Sequence, residues 1–226
     1  MESRKTVLYL CRHGEVADQY LPTSYGHLNV PLSERGIAQS RTLGRTLSAF
    51  PLDAVYCSDL DRAVFAAELV AAECELAPIL QPSLREIGMG DWEGRKVADL
   101  NAEFRELVAS FFADPVGFQF PSGESFSEFT DRVDQALAQI LSSHYGHAAI
   151  IAHAGVCRAI IGRALGIPAA NWLRLTQDFG CVNILEWYNG YPAVKLINYV
   201  PHEEPSPAIR GLDGALENII RETEGD

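Results

Sequence analysis

Short apolar runs alternate with amphipathic stretches along the chain, and two of these runs stop at a histidine. The first run, at residues 7–11, ends in Arg-His-Gly-Glu at residues 12–15, and the second, at residues 148–152, ends in His-Ala-Gly at residues 153–155. Bounded apolar runs of this length predict buried strands. Ligands bind at the carboxyl ends of strands in open α/β sheets. The pattern therefore predicts two strands that bring two histidines to one site, although a strand end can also carry a polar cap with no function.

Helical patterns and turn signals occupy the chain between and after these runs. Ser33 is a good helix N-cap before an apolar stripe over residues 34–49, and a short strand is predicted at residues 53–57. Asn-Gly at residues 189–190 separates two apolar stretches, which is a strong hairpin signal. The sheet is therefore expected to end in an antiparallel edge. The other predicted elements are a strand at residues 78–80 and helices over residues 58–73, 101–112, 125–142 and 154–165.

Composition limits the classes of function. The chain has 226 residues, 47% of them hydrophobic, which suits one α/β domain with a sizeable core. It has 30 acidic and 18 basic residues and a net charge of −12, so its surface should repel nucleic acid and anionic membranes. A site for an anion must then be a local exception made by a few converging arginines, and Arg12 and Arg62 are the candidates.

The expected location is the cytoplasm. Residues 1–6 lead into the first strand without a signal-type apolar region, and no stretch reaches the roughly 18 apolar residues of a membrane span. The five cysteines are odd in number and show no Cys-x-x-Cys spacing. Reduced thiols therefore fit better than a disulfide framework or a zinc site.

Arg62 falls in the first turn of the helix predicted over residues 58–73. Free backbone amides at a helix N-terminus favour an anion, so this arginine is well placed to bind one at the carboxyl edge of the sheet. The alternative is an ion pair with Asp59 or Glu86, although exposed pairs of that kind contribute little to stability.

Two arginines, two histidines and a glutamate make a complete set for phosphoryl transfer: Arg12, His13, Arg62, Glu86 and His153. With these residues the chain resembles the histidine phosphatase superfamily from about residue 5 to about residue 198. The segment Leu-x-Glu-Ile-Gly-x-Gly-x-Trp-Glu-Gly at residues 84–94 resembles the phosphatase branch. The resemblance implies an α/β fold: a three-layer α/β/α sandwich around a mostly parallel mixed sheet with an antiparallel edge, as in phosphoglycerate mutases. It implies a single domain over residues 1–200 with a helical cap at about 95–125, followed by a tail at residues 201–226.

The resemblance also implies a role for each residue of the set. His13 is the nucleophile that becomes phosphohistidine, Arg12 and Arg62 clamp the phosphate oxygens, and His153 donates to an equatorial oxygen. Glu86 is the general acid. A neutral imidazole has one lone pair for attack, and neighbouring arginines disfavour its protonation. Little covalent work is needed from the protein beyond positioning and charge neutralisation, so no metal and no cofactor is expected.

The residues expected to bind the substrate are Arg12, Arg62, Gln19, His153 and Ala154. In the family, the loop after the first histidine usually carries Thr or Ser and then Asn three residues later; here these positions are Val16 and Gln19. Gln19 retains an amide donor for phosphate, whereas Val16 has none. Glu15 is a competing carboxylate, but its place directly after the nucleophile favours a role in bracing the loop.

The sequence thus predicts a metal-independent phosphomonoesterase that acts on a small phosphorylated metabolite through phospho-His13, without nucleic-acid or membrane partners. The alternatives are a cofactor-dependent phosphoglycerate mutase and a non-catalytic phosphate-binding relative. The particular phosphomonoester and the oligomeric state are not predicted.

Overall fold

The central sheet joins strands from both ends of the described chain, which in this computed structural model comprises residues 5–143 and 146–202. Within those residues six strands form one sheet in the order β3-β2-β4-β1-β5-β6. The strands are β1 (Lys5–Arg12), β2 (Ala54–Cys57), β3 (Pro78–Leu80), β4 (His147–Ala152), β5 (Val182–Tyr188) and β6 (Tyr191–Tyr199). The helices are α1 (Glu34–Leu47), α2 (Asp61–Glu73), α3 (Val97–Glu103), α4 (Arg105–Ala113), α5 (Phe126–Ser142) and α6 (Ala154–Ala164).

The sheet is parallel from β3 to β1 and antiparallel at its other edge. Strand β1 pairs with β4 in parallel, so that Arg12 lies opposite Ala152, and it pairs with β5 antiparallel. Asn189 and Gly190, at φ 49° and 85°, form the turn between β5 and β6. Positive φ at both turn positions matches the twist of the flanking strands. The predicted mixed sheet with an antiparallel edge is therefore confirmed.

Helices cover both faces of the sheet and make three layers. On one face, α5 and α6 pack with Leu8, Leu10 and Ile150 in a buried cluster. On the other, α1 and α2 pack against Val7 and Tyr9. Alternate residues of β1 therefore belong to different core clusters, as the period of a strand requires. Among the described residues, no helix has the length and apolarity of a membrane span.

The helix predicted over residues 101–112 is instead two short helices. The chain leaves the helical conformation at Phe104, at φ −126° and ψ 40°, between α3 and α4. The Phe104 ring packs against a separate aromatic cluster that includes Trp92 and Phe118. Packing of the ring overrides the local helical pattern. The boundaries of the predicted domain and cap stay predictions, and of the tail at residues 201–226 all but Pro201 and His202 lies outside the described residues.

Candidate active site

Two histidines meet at the carboxyl edge of the sheet. His13 and His153 follow β1 and β4, whose parallel pairing continues to Arg12 and Ala152. The two rings have centroids 5.1 Å apart and planes at 63°, and each residue is 1% exposed. The structure confirms the prediction that the ends of these two strands lie side by side.

The backbone fixes the tautomer of His13. Its Nδ1 lies 2.7 Å from the carbonyl oxygen of Gly14. A carbonyl only accepts, so Nδ1 carries the proton and Nε2 keeps its lone pair. The Arg62 Nε–H points at that Nε2 from 3.3 Å. The Nε2 lone pair of His13 therefore faces a guanidinium cation.

Arg62 is held by backbone carbonyls rather than by a carboxylate. It is 1% exposed at the second position of α2, and its Nη1 and Nη2 donate to the carbonyls of Leu28 and Gly26 at 2.9 and 2.7 Å. Asp59, the alternative partner weighed from the sequence, pairs with Arg85 at 2.6 and 2.5 Å. The positive charge of Arg62 thus stays available for an anion.

Arg12 is positioned by two residues that sequence analysis missed. Its Nη1 donates to the Gln177 carbonyl at 2.6 Å, and its guanidinium carbon lies 3.6 Å from the centre of the Phe179 ring. Phe179 also lies 5.7 Å from the His13 ring. Both residues come from the segment between α6 and β5, which carries no local signal that could have marked them.

Three buried polar atoms at the site have no hydrogen-bond partner within the described part of the chain: Arg12 Nε and both ring nitrogens of His153. Buried polar groups in native proteins are nearly always paired. Unpaired polar atoms on a guanidinium and on an imidazole, near the buried Arg62 guanidinium, are suited to hydrogen bonds with an anion.

Electrostatics keeps both imidazoles neutral. Burial lowers the pKa of His13 well below 6.5, and the charges of Arg62 and Arg12 lower it further against the opposing effect of the Gly14 carbonyl. The pKa of His153 is also well below 6.5, through burial first and then Arg62. Burial lowers the pKa of Arg62 as well, but a guanidinium remains charged at neutral pH. The site accordingly combines a neutral nucleophile with fixed positive charge.

Glu86 belongs to the loop that follows β3, and its carboxylate contacts the N-terminus of α6. Its Oε2 accepts from the Gly155 N–H at 2.9 Å, and its Oε1 accepts from the Ile87 N–H at the same distance. A Cβ on Gly155 would stand 2.1 Å from Oε1, so a larger residue there would push the carboxylate out of this position. Since Gly155 comes two residues after His153, the predicted acid lies next to the phosphate site.

Arg132 of α5 forms hydrogen bonds with the loop that contains Glu86. The two Nη atoms of Arg132 donate to the carbonyls of Ser83, Arg85 and Glu86 at 2.7 to 3.0 Å. Its Nε and Nη2 donate to both oxygens of Glu124 at 2.7 Å. No sequence motif pointed to this arginine, because its partners are main-chain carbonyls.

His27 and Glu124 complete this attachment. His27 Nε2 donates to the Glu86 carbonyl at 2.8 Å and lies 3.7 Å from the Glu124 carboxylate. Glu124 also accepts from the Gly88 N–H at 2.7 Å. No role was predicted for Glu124 from the sequence. The residue after it, Ser125, is the N-cap of α5 and forms a capping box with Glu128.

The residues still to be placed are Ala154, Gln19 and Glu15. Ala154 begins α6, so its N–H belongs to the helix terminus next to His153. Gln19 is exposed in a 3-10 turn at Asp18–Tyr20 and, within the described residues, makes no hydrogen bond to the side chains of the site. Glu15 accepts from Ser33 and Arg35 at 3.1 Å each, in keeping with the bracing role expected for it.

Two imidazoles, two guanidinium groups and a carboxylate near the carboxyl ends of β1 and β4 are groups that phosphoryl transfer can use. A family model described as the histidine phosphatase superfamily (branch 1) matches residues 8–200. The chain belongs to this superfamily. The family resemblance seen in the sequence is thereby confirmed.

Relatives and solved structures give the same family. An adenosylcobalamin/alpha-ribazole phosphatase from Salmonella typhimurium is 34% identical over 192 residues, covering 84% of this chain and 95% of that protein. A probable phosphoglycerate mutase GpmB from Erwinia tasmaniensis is 32% identical over 163 residues, covering 72% of this chain and 76% of that protein. The alpha-ribazole phosphatase from Shigella flexneri superposes with a TM-score of 0.79 at 31% identity, covering 89% of this chain and all of that one. Bacillus stearothermophilus YhfR gives 0.81 at 30% identity, covering 88% and 100%.

These likenesses confirm the expected fold, a mixed α/β sandwich of the phosphoglycerate mutase type, and the expected class of enzyme, a histidine phosphatase. The roles of individual residues stay predictions, since a match of whole chains does not test them.

Proposed function

We propose that this protein hydrolyses small phosphate monoesters through a phosphohistidine on His13, with Arg12, Arg62 and His153 binding the phosphate and Glu86 acting as general acid. The observation that supports it most strongly is the lone pair of His13 Nε2 beside the buried Arg62 guanidinium. The proposal has two half-reactions, each of which uses the same residues.

In the first half-reaction, the His13 Nε2 lone pair forms a bond to phosphorus while the bond from phosphorus to the ester oxygen breaks. The leaving oxygen takes a proton from the Glu86 carboxyl and departs as an alcohol. Arg12 and Arg62 neutralise the charge on the remaining phosphoryl oxygens, with charge-assisted hydrogen bonds worth about 1.5 to 3 kcal/mol each. His153 contributes a further hydrogen bond to that group.

In the second half-reaction, the Glu86 carboxylate takes a proton from water, and the water oxygen bonds to phosphorus as the bond to Nε2 breaks. Inorganic phosphate leaves and the imidazole returns to its neutral form. Positive charge comes from the guanidinium groups in both steps, so the proposal needs no metal ion.

The relatives suggest which substrates to try first. Two of them are named for alpha-ribazole phosphate ester hydrolysis, and α-ribazole 5′-phosphate therefore heads the panel. We also propose a cytoplasmic location, supported by the five cysteines, all within the described residues and all unpaired.

The test is phosphate release from p-nitrophenyl phosphate and a panel of metabolites, in EDTA, by the native protein and by His13→Ala. We expect hydrolysis that survives EDTA and is lost in the variant. Gln139→Ala, at an exposed position on α5, is the matched control and should retain activity toward p-nitrophenyl phosphate. Absence of hydrolysis by well-folded native protein would contradict the proposal.

The phosphoglycerate mutase is the second candidate, favoured by the relative from Erwinia tasmaniensis. It passes the phosphoryl group from histidine back to the substrate instead of to water. Incubation with 3-phosphoglycerate and a trace of 2,3-bisphosphoglycerate separates the two. Formation of 2-phosphoglycerate faster than free phosphate would decide for the mutase.

A further inference from the structure

A pocket lined by aromatic side chains lies beside Glu86. Glu86 and Gly155 form part of its wall, and its cavity volume is about 120 Å³. We call it the aromatic pocket, after the five rings that line it: Phe111, Phe120, Phe126, Phe129 and Trp172. Since neither phosphate binding nor proton transfer uses these rings, the pocket is free for another part of a ligand.

The rings come from separate elements that meet only in the folded chain. Phe111 lies on α4 and packs at 5.6 Å from Phe120, while Phe126 of α5 packs at 5.5 Å from Trp172. The Trp172 Nε1–H donates to the Ile167 carbonyl at 2.9 Å. Because its polar atom is bonded to the backbone, Trp172 offers the pocket an apolar surface.

The position of Glu86 connects this pocket to the chemistry. A general acid must reach the ester oxygen that joins phosphorus to the leaving group. Glu86 is fixed by the Gly155 N–H at 2.9 Å, next to His153 on one side, and it lines the aromatic pocket as well. The atoms attached to an ester oxygen that Glu86 protonates would therefore lie close to the pocket.

We propose that the aromatic pocket binds the leaving group of the substrate and selects esters whose leaving group carries an aromatic ring. The inference rests on the proposed function, because it takes Glu86 as the acid that protonates that group. It assigns a chemical class of alcohol to the enzyme and a specificity role to residues of α4, α5 and the turn at Ala169–Arg174.

The chemistry of the walls favours an aromatic ring over a simple alkyl chain. Hydroxyl groups that contact the five rings would lose hydrogen bonds to water. Aromatic rings pack edge-to-face or offset against one another, with a gain beyond that of area alone. Arg158 also lines the pocket, and its Nε donates to the Leu175 carbonyl at 2.8 Å. A planar guanidinium held in this way stacks on aromatic faces.

The size of the cavity is consistent with one ring. An apolar protein cavity of about 150 Å³ holds a benzene molecule. The aromatic pocket, with about 120 Å³ and an opening to solvent, is of the same order. A phenyl-sized group attached to the ester oxygen through a short linker would fill it.

The test uses esters whose leaving groups are all primary alcohols of similar acidity, so that differences in rate report binding of the group. These are ethyl, 2-cyclohexylethyl and 2-phenylethyl phosphate. We expect kcat/KM to be about tenfold or more higher for 2-phenylethyl than for ethyl phosphate, from burial of the ring. The cyclohexyl ester should fall between the two.

Phe111→Ala and Phe112→Ala form a matched pair for this experiment. The two phenylalanines are neighbours on α4, but Phe111 lines the pocket whereas Phe112 is 70% exposed. Phe111→Ala should lower the preference for the phenyl ester to about threefold or less, while Phe112→Ala should leave it unchanged. Ala169→Leu, which fills the pocket without removing a packed ring, should reduce activity on the phenyl ester and spare ethyl phosphate.

The outcomes separate this inference from the proposed function. Equal kcat/KM for ethyl and 2-phenylethyl phosphate in the native protein would overturn the aromatic pocket as a leaving-group site and leave the phosphatase intact. Equal values for the phenyl and cyclohexyl esters would overturn the selection of an aromatic ring. Failure to hydrolyse any ester, p-nitrophenyl phosphate included, would overturn the proposed function and the inference with it.

Discussion

Replacing Arg132 by methionine tests whether this arginine positions the general acid. The native side chain makes five hydrogen bonds, three to the main chain between Ser83 and Glu86 and two to the Glu124 carboxylate. Methionine keeps much of the volume but donates nothing. Three carbonyls and a carboxylate would each lose a donor, although His27 still donates to the Glu86 carbonyl and Gly88 to Glu124. The side chains of Arg132 and Glu124 are only 19% and 21% exposed.

The loss has a stability part and a catalytic part. Breaking a buried, hydrogen-bonded charge pair costs about 3 to 5 kcal/mol, and partial access to water reduces this to about 2 to 4 kcal/mol. In a chain of this length that corresponds to a fall in Tm of about 2 to 4 °C for each kcal/mol. The Glu86 loop would also lose three anchors, and a displacement of about 1 Å in a catalytic group costs on the order of 100-fold in rate.

The assay compares a good and a poor leaving group. A nitrophenolate departs without protonation, whereas an alkoxide needs the acid. Arg132→Met should therefore lower kcat/KM on ethyl phosphate by about 10- to 100-fold and on p-nitrophenyl phosphate by about threefold at most. Arg45→Met, the same change on the exposed side of α1, should alter neither. A variant that loses stability but reduces both activities by the same factor would refute the positioning role.

Three further predictions concern Gly155 beside Glu86, Gly36 of α1 and the two histidines of the site. Gly155→Ala should lower kcat/KM on ethyl phosphate about tenfold or more with little change on p-nitrophenyl phosphate, because its methyl group would stand 2.1 Å from Glu86 Oε1. Gly36→Ala should destabilise the fold by about 3 kcal/mol or more in urea unfolding, because its Cβ would lie 2.0 Å from a backbone carbonyl oxygen. The free energy of unfolding should fall as the pH drops below about 6.5, by at most about 1.4 kcal/mol per pH unit for each of His13 and His153. The reason is that both histidines bind protons in the unfolded chain at a pH where their lowered pKa values keep them neutral in the folded protein. His153→Gln should roughly halve that slope between pH 5.5 and 6.5, and an unchanged slope would contradict the assignment.

The positions of three predicted site residues could be read from the sequence because these residues lie where regular elements end. His13 and His153 each follow an apolar run, and Arg62 lies in the first turn of a helix, so the rules of strand and helix termini apply to all three. Glu86 was found through a segment pattern of the family rather than through periodicity. The pattern of β1 also predicted its burial on both faces, as its place in the middle of the sheet requires.

What the sequence did not predict depends on contacts between distant segments. Arg132 binds main-chain carbonyls of residues 83–86, and Phe179 packs on the guanidinium group of Arg12. These partners are distant in the sequence, and no motif around Arg132 or Phe179 indicates such a contact. The break at Phe104 likewise results from packing of its ring against Trp92 and Phe118 rather than from a breaker residue. Tertiary contacts of this kind leave no periodic signal, since periodicity reports only which face of an element is buried.

The two histidines of the site follow strands of the sheet, whereas Glu86 lies in a loop held by side chains of other segments. This difference bears on how the substrate specificity of the enzyme can change. His13 and His153 are fixed by paired strands in the middle of the sheet, so a change near them would disturb both the core and the phosphate chemistry. The Glu86 main chain is held by Arg132 of α5. Phe111 lies on the short helix α4, outside the sheet. Substitutions around the aromatic pocket can therefore alter which alcohol is released while the phosphohistidine chemistry stays intact. Phe111→Ala should change the ranking of substrates but leave kcat/KM for ethyl phosphate within about threefold, because an ethyl group buries little surface against the rings of the aromatic pocket.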